Sequence, residues 1–368
     1  MISLAVFAGL AVYAALLAWL IARLILHREA RPGAPGAPRG MSVIIPFRNE
    51  AHRLESLLAS LAGQLYAGEW EVILVNDGSD DDFRNTMTPF VNNFPVPLRL
   101  VDSAFDPAVR LTSKQQALES GVALARHDWL LFTDADMAFE EDWLASWHAA
   151  AAPGCDLVFG HTKIANTPGG PFCAMQRFQL EFLFATAYAF HGAGIGGSCM
   201  GNNLLVKKSA YRRVGGQRGI GYSIVEDRDL YAAFRRRGMS VAPAEPFSAR
   251  ALTYPCDSFG RFYHQMLRWA RGGFSPGSPL LWAGLLLTLQ NAAFVVAVAG
   301  LLSPAATTIA FVNFVLTVAF AALGFRKIGS RESAFFFPAY YLFMLAETAA
   351  IVLSFFLTPK VVWKRRNV

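Results

Sequence analysis

Residues 129–136 read Trp-Leu-Leu-Phe-Thr-Asp-Ala-Asp. A short run of β-forming apolar residues stops at two carboxylates, Asp134 and Asp136, and residues two apart in an extended segment leave the same face. The run predicts a buried strand that delivers two acids to its C-terminal end, where ligands bind in open α/β sheets. Two carboxylates with no cation between them repel, and a hard divalent ion is the common remedy. The competing reading is a polar turn closing a core strand, since Asp is frequent in turns.

Working outward, Ser42–Pro46 and Trp70–Asn76 read as further strands, the second running into an acidic stretch from Asp77 to Asp82. Leu98–Val101 is a third short strand. Between them, Glu50–Gln64 carries Leu54, Leu57, Leu58 and Leu61 on one helical face, and Thr112–Arg126 carries Ala117, Leu118, Val122 and Leu124. Strand alternating with helix in this rhythm predicts a mainly parallel sheet covered on both faces, a Rossmann-like nucleotide-binding α/β architecture. The following stretch is less regular. Asp156–Gly160 predicts a strand, and Pro171–Phe190 a Phe-rich helix that meets the membrane surface. A loop with glycines at 192, 194, 196, 197 and 201 follows, then a helix over Val225–Arg237 opened by Glu226 and Asp227.

Hydrophobic residues make up 54% of the 368. Residues 2–22 carry no charge, and neither does the run from Phe274 to Phe325, broken near Ser303-Pro304. About 20 apolar residues cross a bilayer, so these predict one span and two spans respectively, with Ala334–Leu357 long enough for a fourth despite Pro338 and Glu347. The first segment lacks a basic n-region and a small-residue cleavage pattern, which predicts a retained anchor. The net charge of +6 lies largely beside the spans, at Arg23, His27, Arg28, Arg31, Arg39, Arg261, Arg268, Arg271, Arg326, Lys327, Arg331 and Lys360–Arg366. Such clusters mark cytoplasmic sides and anionic headgroups, so the implied partner is the lipid bilayer and not nucleic acid. Cys155, Cys173, Cys199 and Cys256 show no paired spacing and read as reduced thiols.

Taken in order, Ser-Val-Ile-Ile-Pro-Phe-Arg-Asn-Glu (42–50), Val-Asn-Asp-Gly-Ser-Asp-Asp (75–81), Lys114, Thr-Asp-Ala-Asp (133–136), Glu226-Asp227 and Gln265-Met266-Leu267-Arg268-Trp269 form a series. It resembles the membrane-bound family 2 glycosyltransferases of GT-A fold, in the branch with the cellulose, hyaluronan and ceramide glucosyltransferases. The resemblance covers residues 41 to about 273 and implies this layout: 1–27 a transmembrane helix, 28–40 a flexible linker, 41–256 the GT-A domain, 257–273 an amphipathic interfacial helix, 274–358 about three transmembrane helices, and 359–368 a basic tail.

The resemblance also implies roles. Pro46, Glu50, Asp77 and Lys114 lie on the nucleotide side. Asp134 and Asp136 hold Mn2+ or Mg2+ and the nucleotide sugar. Asp227 is the general base, presented by a helix start without being buried, with Glu226 and Asp229 as competing acids. Arg268 pairs with the diphosphate, its planar fork suited to phosphate, while Gln265 and Trp269 shape the acceptor entrance. Gly201 and Asn202 line the acceptor side. His161, His191 and His264 have no metal-ligand spacing, whereas Glu347 is an acid inside a predicted span and marks a candidate acceptor contact.

The expected activity is therefore inverting transfer of a hexose from a UDP-sugar to a membrane lipid at the cytoplasmic face of a bacterial inner membrane or its equivalent. A processive polysaccharide synthase is the alternative; four helices make a poor polymer channel. The basic tail creates a conflict, because three further full spans separate it from the side marked by Arg23–Arg31 and would put it outside. A re-entrant last segment, helped by Pro338 and Glu347, removes it.

Overall fold

A computed structural model describes residues 2–26, 37–151, 154–165, 169–244, 249–273, 278–357, 362–363 and 366–367. Residues 28–36 of the expected linker, and with them Arg28 and Arg31, lie outside this set, as do most of the basic tail. The chain divides into two compact units, one made of Met1–Arg28, Gly169–Gly197 and Cys256–Val361, the other of Glu29–Pro168, Ser198–Pro255 and Val362–Val368.

The second unit is built on a seven-stranded sheet. Elements, numbered along the whole chain, are β1 (Met41–Phe47), α2 (Ala51–Ala62), β2 (Trp70–Asn76), α3 (Phe83–Val91), β3 (Leu98–Asp102), α4 (Ser113–Leu124), β4 (Trp129–Thr133), β5 (Met137–Phe139), α5 (Trp143–Ala150), β6 (Leu157–Phe159), β7 (Thr162–Ile164), β8 (Asn203–Lys207), α7 (Lys208–Val214), α8 (Gly216–Ile220), α9 (Glu226–Arg236), β9 (Val241–Pro243) and β10 (Ala251–Thr253). Every residue of β1, β2 and β4 is buried. Strands covered on both faces need continuous apolar runs rather than alternation, which is what their sequences supply.

The order is β3-β2-β1-β4-β8-β6-β9. Strands β3, β2, β1 and β4 are parallel, but β8 runs antiparallel to both β4 and β6, so the sheet is mixed. A second sheet, β5-β10-β7, continues from the end of β4. On one face Leu54, Leu57, Leu58 and Leu61 of α2 join Val43, Ile45, Val72 and Leu74 in a common core. On the other, α4 lies so close that a Cβ on Gly121 would sit 2.5 Å from Ile44 Cγ2, which glycine alone avoids. Thr112 and Gln115 form a capping box that fixes where α4 begins. Buried Glu71 pairs with Arg99 at 2.7 Å and accepts bonds from Ser42 Oγ and the Arg126 amide, so its charge is fully compensated.

The first unit contains α1 (Ile2–Leu26), α6 (Gly170–Gly192), α10 (Phe259–Gly273), α11 (Pro279–Val298), α12 (Pro304–Lys327), a single 3-10 turn (Ala334–Phe336) and α13 (Phe337–Leu357). Four of these helices are long and apolar enough to cross a membrane, over Leu4–Leu26, Pro279–Val298, Pro304–Lys327 and Phe337–Ser354. Asn313 of α12 ties three of them together, donating to the Leu10 carbonyl (3.0 Å) and to Gln290 Oε1 (2.9 Å). Pro338 falls in the first turn of α13, where its missing N–H costs nothing, and the helix runs unbroken past Glu347. The phenylalanines expected of α6 at a membrane surface are instead interior. Phe178 meets Phe325 at 4.9 Å and Tyr340 at 4.6 Å, and Phe182 meets Phe320 at 6.0 Å.

Candidate active site

Strand β4 ends at Thr133, so Asp134 and Asp136 do not alternate along it; Asp134 follows the strand and Ala135-Asp136 turn into β5. The same-face expectation from strand periodicity is corrected accordingly: a turn, not a pleat, presents the two acids. Both are half-buried.

The centre of the site is a cation held between acids. Lys114 Nζ, at the start of α4, lies 2.9 Å from Asp134 Oδ1 and 2.8 Å from Glu226 Oε1. Burial works to lower its pKa, but the two carboxylates outweigh it and hold the ammonium above the usual lysine range. Glu226, one of the competing acids, is therefore engaged in this ion pair. Asp229, the other, pairs with Arg228.

Asp227 lies in the first turn of α9. Its Oδ2 accepts the Gly201 amide at 2.7 Å and its Oδ1 accepts the Arg228 amide at 2.7 Å. Burial pushes its pKa up to about 6, and the neighbouring Glu226 charge adds to this, while Lys114 and the two amides pull the other way. The helix start presents this acid half-buried, as Asp134 and Asp136 are. Gly201 is required by the approach, since a Cβ there would stand 2.6 Å from Asp227 Cβ. Cys199 donates to the Asp227 carbonyl at 3.4 Å, and burial, with the charges of Asp227 and Glu226, raises its thiol well above the usual range.

Asn202 accepts from Thr162 Oγ1 through its side chain and from Thr133 Oγ1 through its carbonyl, both at 2.8 Å, and so ties the ends of β4 and β7. Asp77 is buried and accepts Ser113 Oγ at 2.5 Å, one residue before Lys114. Pro46 is buried in β1 opposite Val75. Glu50 caps α2 through its carbonyl, which accepts the amides of Arg53 and Leu54, and its carboxylate lies 3.9 Å from His52. Gln265, Arg268 and Trp269 lie half-buried on α10 of the helix unit, where Gln265 Oε1 accepts from Cys256 Sγ at 3.3 Å.

Two residues outside the motif series also shape the site. Gln115 donates to the Gly221 carbonyl (2.8 Å) and accepts the Ser223 amide (3.1 Å), which pins the loop into α9; the capping-box spacing from Thr112 was its sequence signal. Asn203 donates to the carbonyls of His161 and Ala249 and accepts Trp143 Nε1.

A cavity of about 20 Å³ is lined by Lys114, Thr133, Asp134, Gly201, Glu226 and Asp227 among others. It has room for a water but not for a sugar. A larger hollow of about 600 Å³ lies at the opposite strand ends, around Arg39, Arg126 and Trp129, and contains none of these carboxylates. Among the described residues no three His, Cys, Asp or Glu cluster as a ready-made metal site. The donor set nevertheless suits Mn2+ or Mg2+ in a nucleotide complex. Such ions are held by one or two carboxylates with phosphate and water completing the shell, and the Lys114 ammonium shows that positive charge is stable against Asp134.

The sequence model of Glycosyl transferase family 21 matches residues 6–368. The chain belongs to this family. The motif-based resemblance to family 2 enzymes thus narrows to family 21, a GT-A group of the same kind related to ceramide glucosyltransferases. An N-acetylglucosaminyltransferase of Sinorhizobium fredii is 27% identical over 258 residues, 65% of this chain and 58% of the relative. A PGL/p-HBAD biosynthesis glycosyltransferase of Mycobacterium tuberculosis is 35% identical over 139 residues, 36% of this chain and 51% of the relative. A poly-beta-1,6-N-acetyl-D-glucosamine synthase of Staphylococcus aureus is 24% identical over 242 residues, 64% of this chain and 54% of the relative. The chain thus spans little more than half the length of these relatives. Among solved structures, the mannosyltransferase PcManGT of Pyrobaculum calidifontis, in complex with GDP-Man and Mn2+, superposes with a TM-score of 0.60 at 17% identity, covering 98% of this chain and 99% of that one. That likeness shows the GT-A fold with its apolar helices.

Proposed function

We propose that this family 21 protein transfers a hexose from a UDP-sugar to a membrane lipid at the cytoplasmic face, with inversion at the anomeric carbon and Asp227 as general base. The observation that carries the reading is the half-buried Asp227 carboxylate, lining the same small cavity as Asp134 and the Lys114 ammonium, with its pKa pushed up to about 6. A base works best when its pKa lies near the working pH.

Asp227 takes the proton of the acceptor hydroxyl as its oxygen attacks the anomeric carbon, and the bond from that carbon to the diphosphate breaks. The Gly201 and Arg228 amides hold the carboxylate in place through one lone pair on each oxygen, leaving others for the hydroxyl. Lys114 offers positive charge where the diphosphate leaves, and entry of the donor into the small cavity requires the ammonium to part from Asp134 or Glu226. Asp134 and Asp136 would hold Mn2+ or Mg2+, which supplies charge neutralisation to the departing diphosphate. Pro46, Glu50 and Asp77 contact the nucleotide, Gly201 and Asn202 line the acceptor side, and Gln265, Arg268 and Trp269 keep the roles the family resemblance implies.

The layout read from the sequence, with its spans, interfacial helix and linker, is proposed with this function. Similarity to the Staphylococcus synthase favours a second reading, extension of a polysaccharide. The test is nucleotide release by full-length protein given a panel of UDP-sugars, lipid extract and Mn2+ or Mg2+. Release that needs both lipid and metal, and is lost in Asp136→Ala, supports the proposal; full metal-dependent release by Asp136→Ala defeats it.

A further inference from the structure

Within the helix unit, one stripe of α13 faces α10. Phe343 meets Phe259 and Phe262 at 6.3 and 5.6 Å, and Ser354 meets Tyr263. Glu347 lies on the same stripe, four residues after one contact and seven before the other. The acid is thus level with α10, the helix that carries Gln265, Arg268 and Trp269.

The hydrogen bonds it accepts among the described residues come from a single side chain. Both carboxylate oxygens of Glu347 take their bonds from one atom, Gln179 Nε2 of α6, at 2.8 and 2.9 Å. That nitrogen also lies 3.1 Å from Met266 Sδ of α10. Gln179 is 6% exposed, and its Oε1 is buried with no partner. Gln176, one turn earlier on α6, shows the contrast: its amide exchanges two bonds with the Cys256 backbone, at 3.0 and 2.8 Å. A buried acceptor without a donor costs more than the net worth of an ordinary hydrogen bond, and an acid in an apolar bundle is retained only where something uses it. Among the described residues, the Gln179 carbonyl oxygen and the remaining lone pairs of Glu347 are the acceptors this niche leaves for added donors.

We infer that Glu347 and Gln179 form a head-group site for the lipid acceptor, receiving two or more of its hydroxyl or amide N–H donors and setting the acceptor's position. The inference rests on the proposed transfer to lipid. The carboxylate repels phosphate, so an acceptor ending in a phosphate is disfavoured.

The test measures binding of three twelve-carbon probes to full-length protein in detergent: N-dodecanoylserinol, with an amide N–H and two hydroxyls; methyl dodecanoate, with no donor; and dodecyl phosphate. Wild type should bind the serinol amide roughly tenfold more tightly than the ester, as two added hydrogen bonds imply, with dodecyl phosphate no better than the ester. Glu347→Leu and Gln179→Leu should each reduce that preference to about twofold or less. The double variant Glu347→Leu/Gln179→Leu should melt no lower than wild type, because apolar replacement of both members of a buried, poorly satisfied polar pair is neutral or stabilising; a purely structural pair would lose stability instead. Should the Leu variants fail to fold, the isosteric Glu347→Gln serves, with about a threefold loss expected. Preference retained in the variants, no preference in wild type, or equal binding of dodecyl phosphate overturns the site. Binding preference without any nucleotide release refutes the transfer reading alone; lipid-dependent transfer with unchanged preference in the variants refutes the site alone.

Discussion

Asp227→Asn separates chemistry from stability. The ordinary Asp pKa of 3.8 rises to about 6 here, and a shift of about two units corresponds to about 3 kcal/mol against the charged form. The sign follows from proton binding. Between 3.8 and about 6 the folded protein binds a proton that the unfolded chain has released, so this residue's contribution is fully favourable below the lower value and is lost as pH rises through the upper one.

Asn carries no charge and escapes that penalty. Its NH2 cannot accept, so either the Gly201 or the Arg228 amide loses a partner, at about 1–3 kcal/mol. The two effects nearly offset at pH 8, and the variant should melt within a few degrees of wild type there. It should be the less stable of the two at pH 4, where wild type no longer bears the charge. Initial rates at saturating donor should fall about a thousandfold, and the wild-type rate should rise with pH through about 6. Transfer within tenfold of wild type by a folded variant would refute Asp227 as base. Collapse of the variant at pH 8 would show that the carboxylate is a structural anchor and refute the burial argument.

Lys114→Met leaves Asp134 and Glu226 facing a partner that is gone, and chemical denaturation should show a loss of about 3 kcal/mol with a raised KM for the donor. Gly201→Ala places a methyl within 2.6 Å of Asp227 Cβ; kcat should drop by tenfold or more while nucleotide affinity, measured by calorimetry, stays within twofold. Asn203→Leu strands the Ala249 carbonyl and the Trp143 indole N–H, and should lower stability by about 3 kcal/mol, read from its urea midpoint.

The parallel half of the sheet was legible because buried strands leave long apolar runs, as in Val43–Phe47 and Val72–Val75, and the four apolar helices were legible for the same reason. Helix α3 escaped notice because its nine residues include Thr86 and Pro89 and bury only Phe83 and Met87. The reversed strand β8 has only Leu204, Leu205 and Val206 as its apolar signal, behind a Gly-rich loop, and nothing in so short a run gives its direction. At the candidate site the residue types were readable and their partners were not. Lys114 reaches Glu226 across more than a hundred positions, and the amide of Gly201 meets Asp227 only through the fold. Such pairings are set by which strand ends converge, a property no local spacing carries.

The most direct measurement is the mass of what the protein makes. With purified full-length protein, a 13C-labelled UDP-hexose, total membrane lipid and Mn2+, mass spectrometry of the organic-soluble fraction should show a lipid heavier by one labelled hexose, β-linked by NMR coupling, and absent with Asp227→Asn. Label recovered instead in a water-soluble polymer, or in an α-linked lipid, would contradict the account.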